Sequence, residues 1–463
     1  MKAAVRSHPA HRWFILGTVM LGTFMGPLDG SIANVSMPSI AHAFGQSVGE
    51  AEWIILAYLL VTASTLVLFG RLGDMFGQKR IYLIGFGIFG VGSLACALAP
   101  TLEALIAFRI LQGLGSAMLV SCTQALIVDT FPGRDRGRAI GLNGAAVAVG
   151  LSTGPILGGA ITTYGDWRWI FSINVPITIV ALALAVLILP SPRPHPQGFD
   201  PLGALCSVVG LLSASLAISR GDIWGWTSLP TCVTFGIAAV SLVAFIAIER
   251  RVTSPTLDLE LFRNPLFSLS TIAAFVYFTA QSGVIFIVPL AAQLALGASP
   301  LKAGLMLIPL TVLNIVLAPI AGSLSDRIPA RYVSTFGALL VTAGSVMLAL
   351  LPGHPSVWQI IAALSVTGCG TAVFTQPNNS AIMGAAPANR RGIAAGTLAT
   401  ARTTGQLLGV ATAGAVYFAR AARLGPLAHT FAPATSYFAG VAGVMIVVAL
   451  ISYSRGEPVR IQA

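Results

Sequence analysis

The chain has 463 residues, 56% hydrophobic and only 9% charged, with a formal net charge of +11. No soluble domain buries that much apolar surface, so composition excludes a soluble globular protein and points to an all-α protein that crosses a membrane many times. In a soluble chain the positive balance would suggest a nucleic-acid partner, but here its distribution gives it another meaning.

Apolar runs near the roughly 20 residues that a bilayer demands recur from end to end. They predict fourteen spans: 13–36, 51–70, 80–99, 103–127, 138–162, 168–189, 201–219, 230–248, 266–293, 302–322, 331–351, 357–383, 392–418 and 433–453. An even number puts both termini on one side. Of the 26 Lys and Arg residues, 19 fall in segments on the side of the termini and five on the other. Arg109 and Arg402 lie inside spans. Positive charge concentrates on the cytoplasmic side of membrane proteins, so both termini are expected in the cytoplasm. The +11 is then a topology signal, and no nucleic-acid partner is expected. The N-terminus does not read as a cleaved signal peptide, because no small-residue cleavage site follows the first run. Cys96, Cys122, Cys206, Cys232 and Cys369 fall in apolar runs without ligand spacing, so neither a disulfide nor a metal is expected. The six histidines read as tail or loop residues.

The chain repeats itself. Gly70-Arg71-Leu72-Gly73-Asp74 has a counterpart in Gly322-Ser323-Leu324-Ser325-Asp326, 252 residues later. Gly137, Gly141, Gly150 and Gly154 correspond to Gly392, Gly396, Gly405 and Gly409, 255 residues later. Spans 1–6 and 9–14 are thus expected to form related six-helix bundles, over 1–190 and 265–463. Spans 7 and 8, with their flanking loops, form an inserted segment, 191–264. Two repeated halves suggest a transporter with its substrate site near the membrane middle.

Three features carry chemistry. The first is Asp29, in the first span; it is the one carboxylate that cannot be placed near the end of an apolar run. An acid at that depth is expensive to ionise and points to a proton or cation site. Against this, Pro27-Leu28-Asp29-Gly30 also reads as a turn, and a structural ion pair or a helix cap remains open. Depth offers Asp29 a partner. It lies 16 residues past Trp13 on an outward span, about 24 Å along, and Arg109 lies six residues past Glu103 on an inward span, about 9 Å from the outer face. The two could share a layer, with Gln112 completing a network that responds to protonation, or form a permanent structural pair.

The second feature is the segment Gly70–Arg80. Gly70, Gly73 and Gly77 permit a tight turn and close helix approach. Asp74 meets the positive end of the next helix dipole and could pair with Arg134, Arg136 or Arg138 in a latch that breaks when the halves rock. Arg71, Arg80 and, in the second copy, Asp326 complete that set. The third is span 5, where Gly150, Gly154, Gly158 and Gly159 lie close to one face and Pro155 permits a kink.

These residues resemble those of the major facilitator superfamily. Gly70–Arg80 resembles its loop signature, Arg109–Gly115 its span-4 motif, and Gly150–Gly159 its span-5 antiporter motif. Leu28–Val35 and Trp167–Pro176 resemble signatures of the fourteen-span drug:proton antiporters. The resemblance implies the major facilitator fold, an Arg109 linked to proton coupling, and spans 1, 4, 9 and 12 lining a central cavity, with 2, 5, 10 and 13 as gates. Polar candidates for that cavity are Asn34, Asn143, Gln281, Asn314, Gln376, Asn378, Asn379 and Arg402, each also readable as a helix–helix hydrogen-bonding residue. Phe275, Tyr277, Phe278, Phe286 and Phe374 would supply an apolar wall. There are departures. Spans 9–14 hold no acid, and span 13 holds Arg402 instead, which weakens the case for divalent cationic drugs. The second loop copy reads Ser325-Asp326-Arg327-Ile328-Pro329-Ala330-Arg331, a looser latch.

The expectation is a monomeric proton-coupled antiporter of the bacterial inner membrane. It would export lipophilic small molecules by alternating access, powered by the proton gradient without a cofactor. Its partners would be the bilayer, protons and a small-molecule substrate. The alternatives are a narrow transporter of one endogenous metabolite or lipid, which shares every motif, and a non-transporting receptor or scaffold on the same fold. An enzyme is not expected, since no Ser/His/Asp, metal or paired-carboxylate constellation and no Gly-rich nucleotide loop appears.

Overall fold

The computed structural model describes residues 11–131, 134–190, 201–251, 260–325, 327–387 and 390–454, and among them there is no strand. Among the described residues, fourteen helices are long and apolar enough to cross a membrane. We number them in chain order: α1 His11–Phe44, α2 Val48–Phe76, α3 Gln78–Ala97, α4 Leu102–Thr130, α5 Arg138–Tyr164, α6 Trp169–Ile188 and α7 Pro201–Ile218. Then follow α8 Leu229–Glu249, α9 Pro265–Leu296, α10 Pro300–Ser325, α11 Ala330–Ala349, α12 Val357–Ala385, α13 Ile393–Leu424 and α14 Ala432–Ser454. Every predicted span is a helix.

The helix ends follow local chemistry. Ser47 and Glu50 form a capping box at the start of α2, and Ser356 with Gln359 does the same for α12. Thr101 caps α4 by accepting from the Ala104 amide. Between α2 and α3, Gly77 has φ 98°, a conformation only glycine adopts freely, so the expected tight turn is built there. Two sequence expectations are corrected. Pro27-Leu28-Asp29-Gly30 is not a turn, because α1 runs unbroken through it with Pro27 and Pro38 inside the helix. In a membrane helix, neighbouring groups can re-satisfy the carbonyl that a proline leaves free. His11 and His42 also belong to the first and last turns of α1, whose 34 residues exceed the roughly 20 that an apolar layer requires.

The chain divides into two compact units, residues 1–217 with 232–256, and 218–231 with 257–463. The first holds α1–α6, with α7 and α8 packed on each other, where Leu242 closes over Gly210. The second holds α9–α14. Each is built on the same close helix approaches. A Cβ on Gly113 would lie 2.8 Å from the Tyr58 carbonyl oxygen, and one on Gly368 2.7 Å from that of Leu310. Gly115 fits against Gly85 and Phe89, and Gly370 against Gly337 and Val341. Gly150 fits against Phe24 and Leu28, and Gly405 against Phe275 and Thr279. These contacts recur at offsets of 251 to 255 residues, so the two units are related six-helix bundles whose glycines hold equivalent helices at backbone contact.

The correspondence also shows what the second bundle lacks. Carried across it, Asp29 falls on Ala280, Arg109 on Leu364 and Gln112 on Thr367. In the second bundle Arg390 donates to Glu260 Oε2 at 2.7 Å, tying the start of α13 to the segment before α9. That bond and the arginine charge hold the Glu260 carboxyl below the usual carboxylate range. A depressed carboxylate contributes stability above its unfolded pKa and loses it as pH falls, so this exposed tie weakens only in acid.

Candidate functional site

Asp29 and Arg109 meet directly in the first bundle, and neither side chain is exposed to solvent. Arg109 Nη1 donates to Asp29 Oδ2 and, at 2.6 Å, to Gln112 Oε1. Gln112 Nε2 donates to Asp29 Oδ1 at 2.8 Å and to Ser93 Oγ at 2.5 Å. Asn174 Nδ2 donates to the same Asp29 oxygen at 2.7 Å. The carboxylate therefore accepts from three residues on two other helices, α4 and α6.

The arginine is fixed as firmly. Its Nε donates to the Ile54 carbonyl at 2.9 Å, and its guanidinium lies 4.2 Å from the Tyr58 ring centroid and 5.5 Å from that of Phe171. Aromatic faces stabilise a cation removed from water. Tyr58 is anchored in turn, with its hydroxyl 2.7 Å from Ser116 Oγ and 3.1 Å from the Gly26 carbonyl. Nη2 of Arg109 has no hydrogen-bond partner, so the cation keeps a spare donor. Five helices, α1, α2, α3, α4 and α6, converge on one acid–base pair.

Chemically, this is a buried ion pair in which both carboxylate oxygens act only as acceptors. Charges in a low-dielectric interior are tolerated when paired and fully hydrogen-bonded. A proton on Asp29 would cancel the negative charge, convert one acceptor into a donor and leave Arg109 an uncompensated cation. Asp29 is 0% exposed, so in this conformation its carboxylate does not touch solvent.

The sequence marks Asp29, Arg109 and Gln112 as candidates but gives Asn174, Ser93 and Tyr58 no role. The signal for Asn174 was its place inside the Trp167–Pro176 signature. It begins the long part of α6 after a short turn over Trp169–Ser172, and that turn aims it inward. Asn174→Ala is expected to destabilise the protein by about 1–3 kcal/mol through loss of a hydrogen bond to a buried charge, readable as a lower thermal midpoint of the purified protein. An unchanged midpoint would remove Asn174 from the network.

The other candidates are spread over both bundles. Asp74 accepts from Gln78 Nε2 at 2.7 Å, and Lys79 Nζ donates to the Val186 and Leu189 carbonyls at 3.0 and 2.5 Å, capping α6. Arg138 lies with its guanidinium 5.1 Å from the Trp13 ring centroid, beside a 2.8 Å ion pair of Arg12 with Asp135. Gly70, Gly73 and Arg71 lie in the last turns of α2, and Arg80 is exposed in the first turn of α3. Asp326 lies outside the described residues. In α5, Gly150, Gly154 and Gly158 fit against α1, and Pro155 and Gly159 are buried beside them. Asn34 and Asn143 are buried with unpartnered Oδ1 atoms, and Gln281 is buried with an unpartnered Oε1. Asn378 donates to the Ser270 carbonyl at 3.1 Å, a helix–helix bond. Asn314, Gln376, Asn379 and Arg402 are part-buried. Of the aromatics, Tyr277 and Phe374 pack with centroids 4.7 Å apart, and Phe286 is fully buried. Among the described residues no group of His, Cys, Asp and Glu could hold a metal ion, and the five cysteines are unbridged.

Comparison with known proteins places this geometry. The Major Facilitator Superfamily profile matches residues 19–410 and, in a second match, 270–462. The riboflavin transporter RibZ of Clostridioides difficile (strain 630) is 34% identical over 407 residues, covering 86% of this chain and 87% of that protein. The multidrug resistance protein Stp of Mycobacterium tuberculosis (strain CDC 1551 / Oshkosh) is 33% identical over 398 residues, covering 86% and 74%. In fold, the crystal structure of a D-xylose-proton symporter superposes with a TM-score of 0.69 at 16% identity, covering 97% of this chain and 98% of the other. With its two related bundles and fourteen membrane-length helices, the chain is an integral membrane transporter, not an enzyme, and belongs to the Major Facilitator Superfamily.

Proposed function

We propose that this transporter is a proton-coupled antiporter that exports lipophilic small molecules from the cytoplasm of a bacterium across its inner membrane. The observation that carries the reading is the sealed Asp29–Arg109 pair, a proton acceptor whose protonation unbalances five converging helices. In each cycle Asp29 takes a proton from outside and Arg109 gives up its grip on the carboxylate. The bundles rock, and the proton leaves inward as substrate leaves outward. Gln112 and Asn174 keep the carboxylate in place in the ionised state. The Gly70–Arg80 segment, with Arg138 and Asp326, serves as a cytoplasmic latch, and the smooth face of α5 serves as the bending gate. Both termini lie in the cytoplasm, the working unit is a monomer, and the proton gradient supplies the energy with no cofactor.

The similarity to a multidrug resistance protein supports export of xenobiotics. The similarity to a riboflavin transporter supports a second reading, narrow transport of one endogenous compound. The deciding experiment is efflux from cells expressing the protein, using a panel of fluorescent dyes and riboflavin, with and without a protonophore. Efflux of several unrelated dyes that stops with the protonophore supports the first reading. Movement of riboflavin alone supports the second. Export that persists without a proton gradient would sink the coupling proposal.

A further inference from the structure

The second bundle keeps one charge inside the membrane, and the proton-exchange reading makes no use of it. Arg402 lies nine residues past Ile393 on α13, about 14 Å along the helix and so near the middle of an apolar core about 30 Å thick. Among the described residues it makes no ion pair and no hydrogen bond. The sequence offers none either, since no Asp or Glu lies inside α9 or α11–α14, and Asp326 lies beyond the end of α10. An unpaired guanidinium at this depth is expensive, and such residues face polar cavities or bind charge.

The fold does not demand it. Gly405 of α13 corresponds to Gly150 of α5, and by the same offset Arg402 corresponds to Val147, a buried apolar residue in the first bundle. The equivalent helix therefore packs without a cation. The surroundings add a second donor. Gly405 meets the Phe275 carbonyl and the Thr279 amide of α9. One turn back along both helices, Arg402 lies three residues before Gly405 on α13 and Thr271 four residues before Phe275 on α9. Most threonines here return their hydroxyl proton to the carbonyl four residues earlier, as Thr397, Thr403 and Thr412 do. Thr271 does not, and its buried hydroxyl has no partner.

We propose that Arg402, with Thr271 beside its level on α9, is the recognition site for an anionic group on the transported molecule, a carboxylate or a phosphate on an otherwise apolar body. A guanidinium fork matches the planar or tetrahedral oxyanion, and the threonine hydroxyl supplies a further donor. This deepens the export reading and rests on it. An anion leaving while a proton enters moves charge twice in the same sense, so an inside-negative potential drives the exchange.

The test uses three probes with one aromatic body in proteoliposomes holding the full chain: pyrenebutyrate, pyrenebutanol and pyrenebutyl-trimethylammonium. Wild type is expected to move the carboxylate. Arg402→Gln is expected to raise the KM for pyrenebutyrate at least about tenfold and to leave the alcohol and the ammonium within about twofold, with partial rescue by Arg402→Lys. An equal fall for all three probes, or a wild type that does not move the carboxylate, overturns the assignment. If Arg402→Gln does not fold, wild-type thermal stability decides: a rise with pyrenebutyrate but not with pyrenebutanol supports the site, and no difference overturns it. Asp29→Asn separates the two proposals. If it leaves proton-driven movement intact while Arg402→Gln still discriminates against the carboxylate, proton exchange at Asp29 fails and the anion site stands.

Discussion

Asp29→Asn is expected to reduce proton-driven efflux to the background of empty vesicles. Asparagine keeps the shape of the side chain but removes the charge, and it turns one acceptor into a donor. In the wild type both Asp29 oxygens accept, Oδ2 from Arg109 and Oδ1 from Gln112 and Asn174. The substituted amide must set N–H groups against the guanidinium or against two amides. Arg109, at 0% exposure, is then left as a buried cation without a counter-ion. Removing one partner of such a pair costs about 3–5 kcal/mol, so the variant should also unfold at a lower temperature. The two losses can be separated. Asp29→Asn combined with Arg109→Gln removes both charges and should recover much of the stability, since neutral replacement of a buried pair is often close to harmless. It should recover none of the proton-driven transport, because no group remains to carry the proton. The measurement pairs thermal denaturation with efflux under an imposed pH gradient. A double variant that regains both would make the pair a structural tie, and a single variant that transports normally would place coupling elsewhere.

The sequence reached this pair by counting rise per residue along two antiparallel spans, because depth in a bilayer is a one-dimensional quantity that periodicity and length record. What it could not reach was lateral. Asn174 belongs to a polar position at the edge of a span, where an asparagine serves equally well as a cap, a turn residue or a buried donor. Only the short turn over Trp169–Ser172 decides among these. Arg138 was legible as cytoplasmic charge, and that reading hid its place over Trp13, since loop composition carries no information about which ring a guanidinium covers. The repeat was legible through its glycines because they mark backbone contacts, and Gly150 and Gly405 make equivalent ones. The loss of the ionic network in the second bundle, where Ala280 and Leu364 replace Asp29 and Arg109, became readable only when those contacts fixed the offsets.

The second large effect is expected at Gly154. A Cβ there would collide with Ser31 Oγ and lie 2.9 Å from both the Ile32 amide nitrogen and the Leu28 carbonyl oxygen. Two of these three are backbone atoms, which cannot rotate away, so valine at this position must push α5 off α1. Overpacking of this kind costs about 1–3 kcal/mol in a well-packed core. The functional loss should exceed that figure, because α1 joins two surfaces. Leu28, Ser31 and Ile32 press on α5, while Asp29, one residue along, faces Arg109 and Asn174. A displacement of α1 by a fraction of an ångström is carried into hydrogen bonds between 2.7 and 2.8 Å long. Gly154→Val is therefore expected to lower efflux by at least about tenfold, one decade for each 1.4 kcal/mol, with protein that still folds and inserts. Gly144 is the control: nothing lies within 4 Å of a Cβ built there, so alanine should be tolerated and should gain helix propensity of up to about 1 kcal/mol. Transport at wild-type rates by Gly154→Val would mean that α1 and α5 separate at no cost to the cycle. Helix contact there would then be packing alone, and the proton site would be insulated from α5.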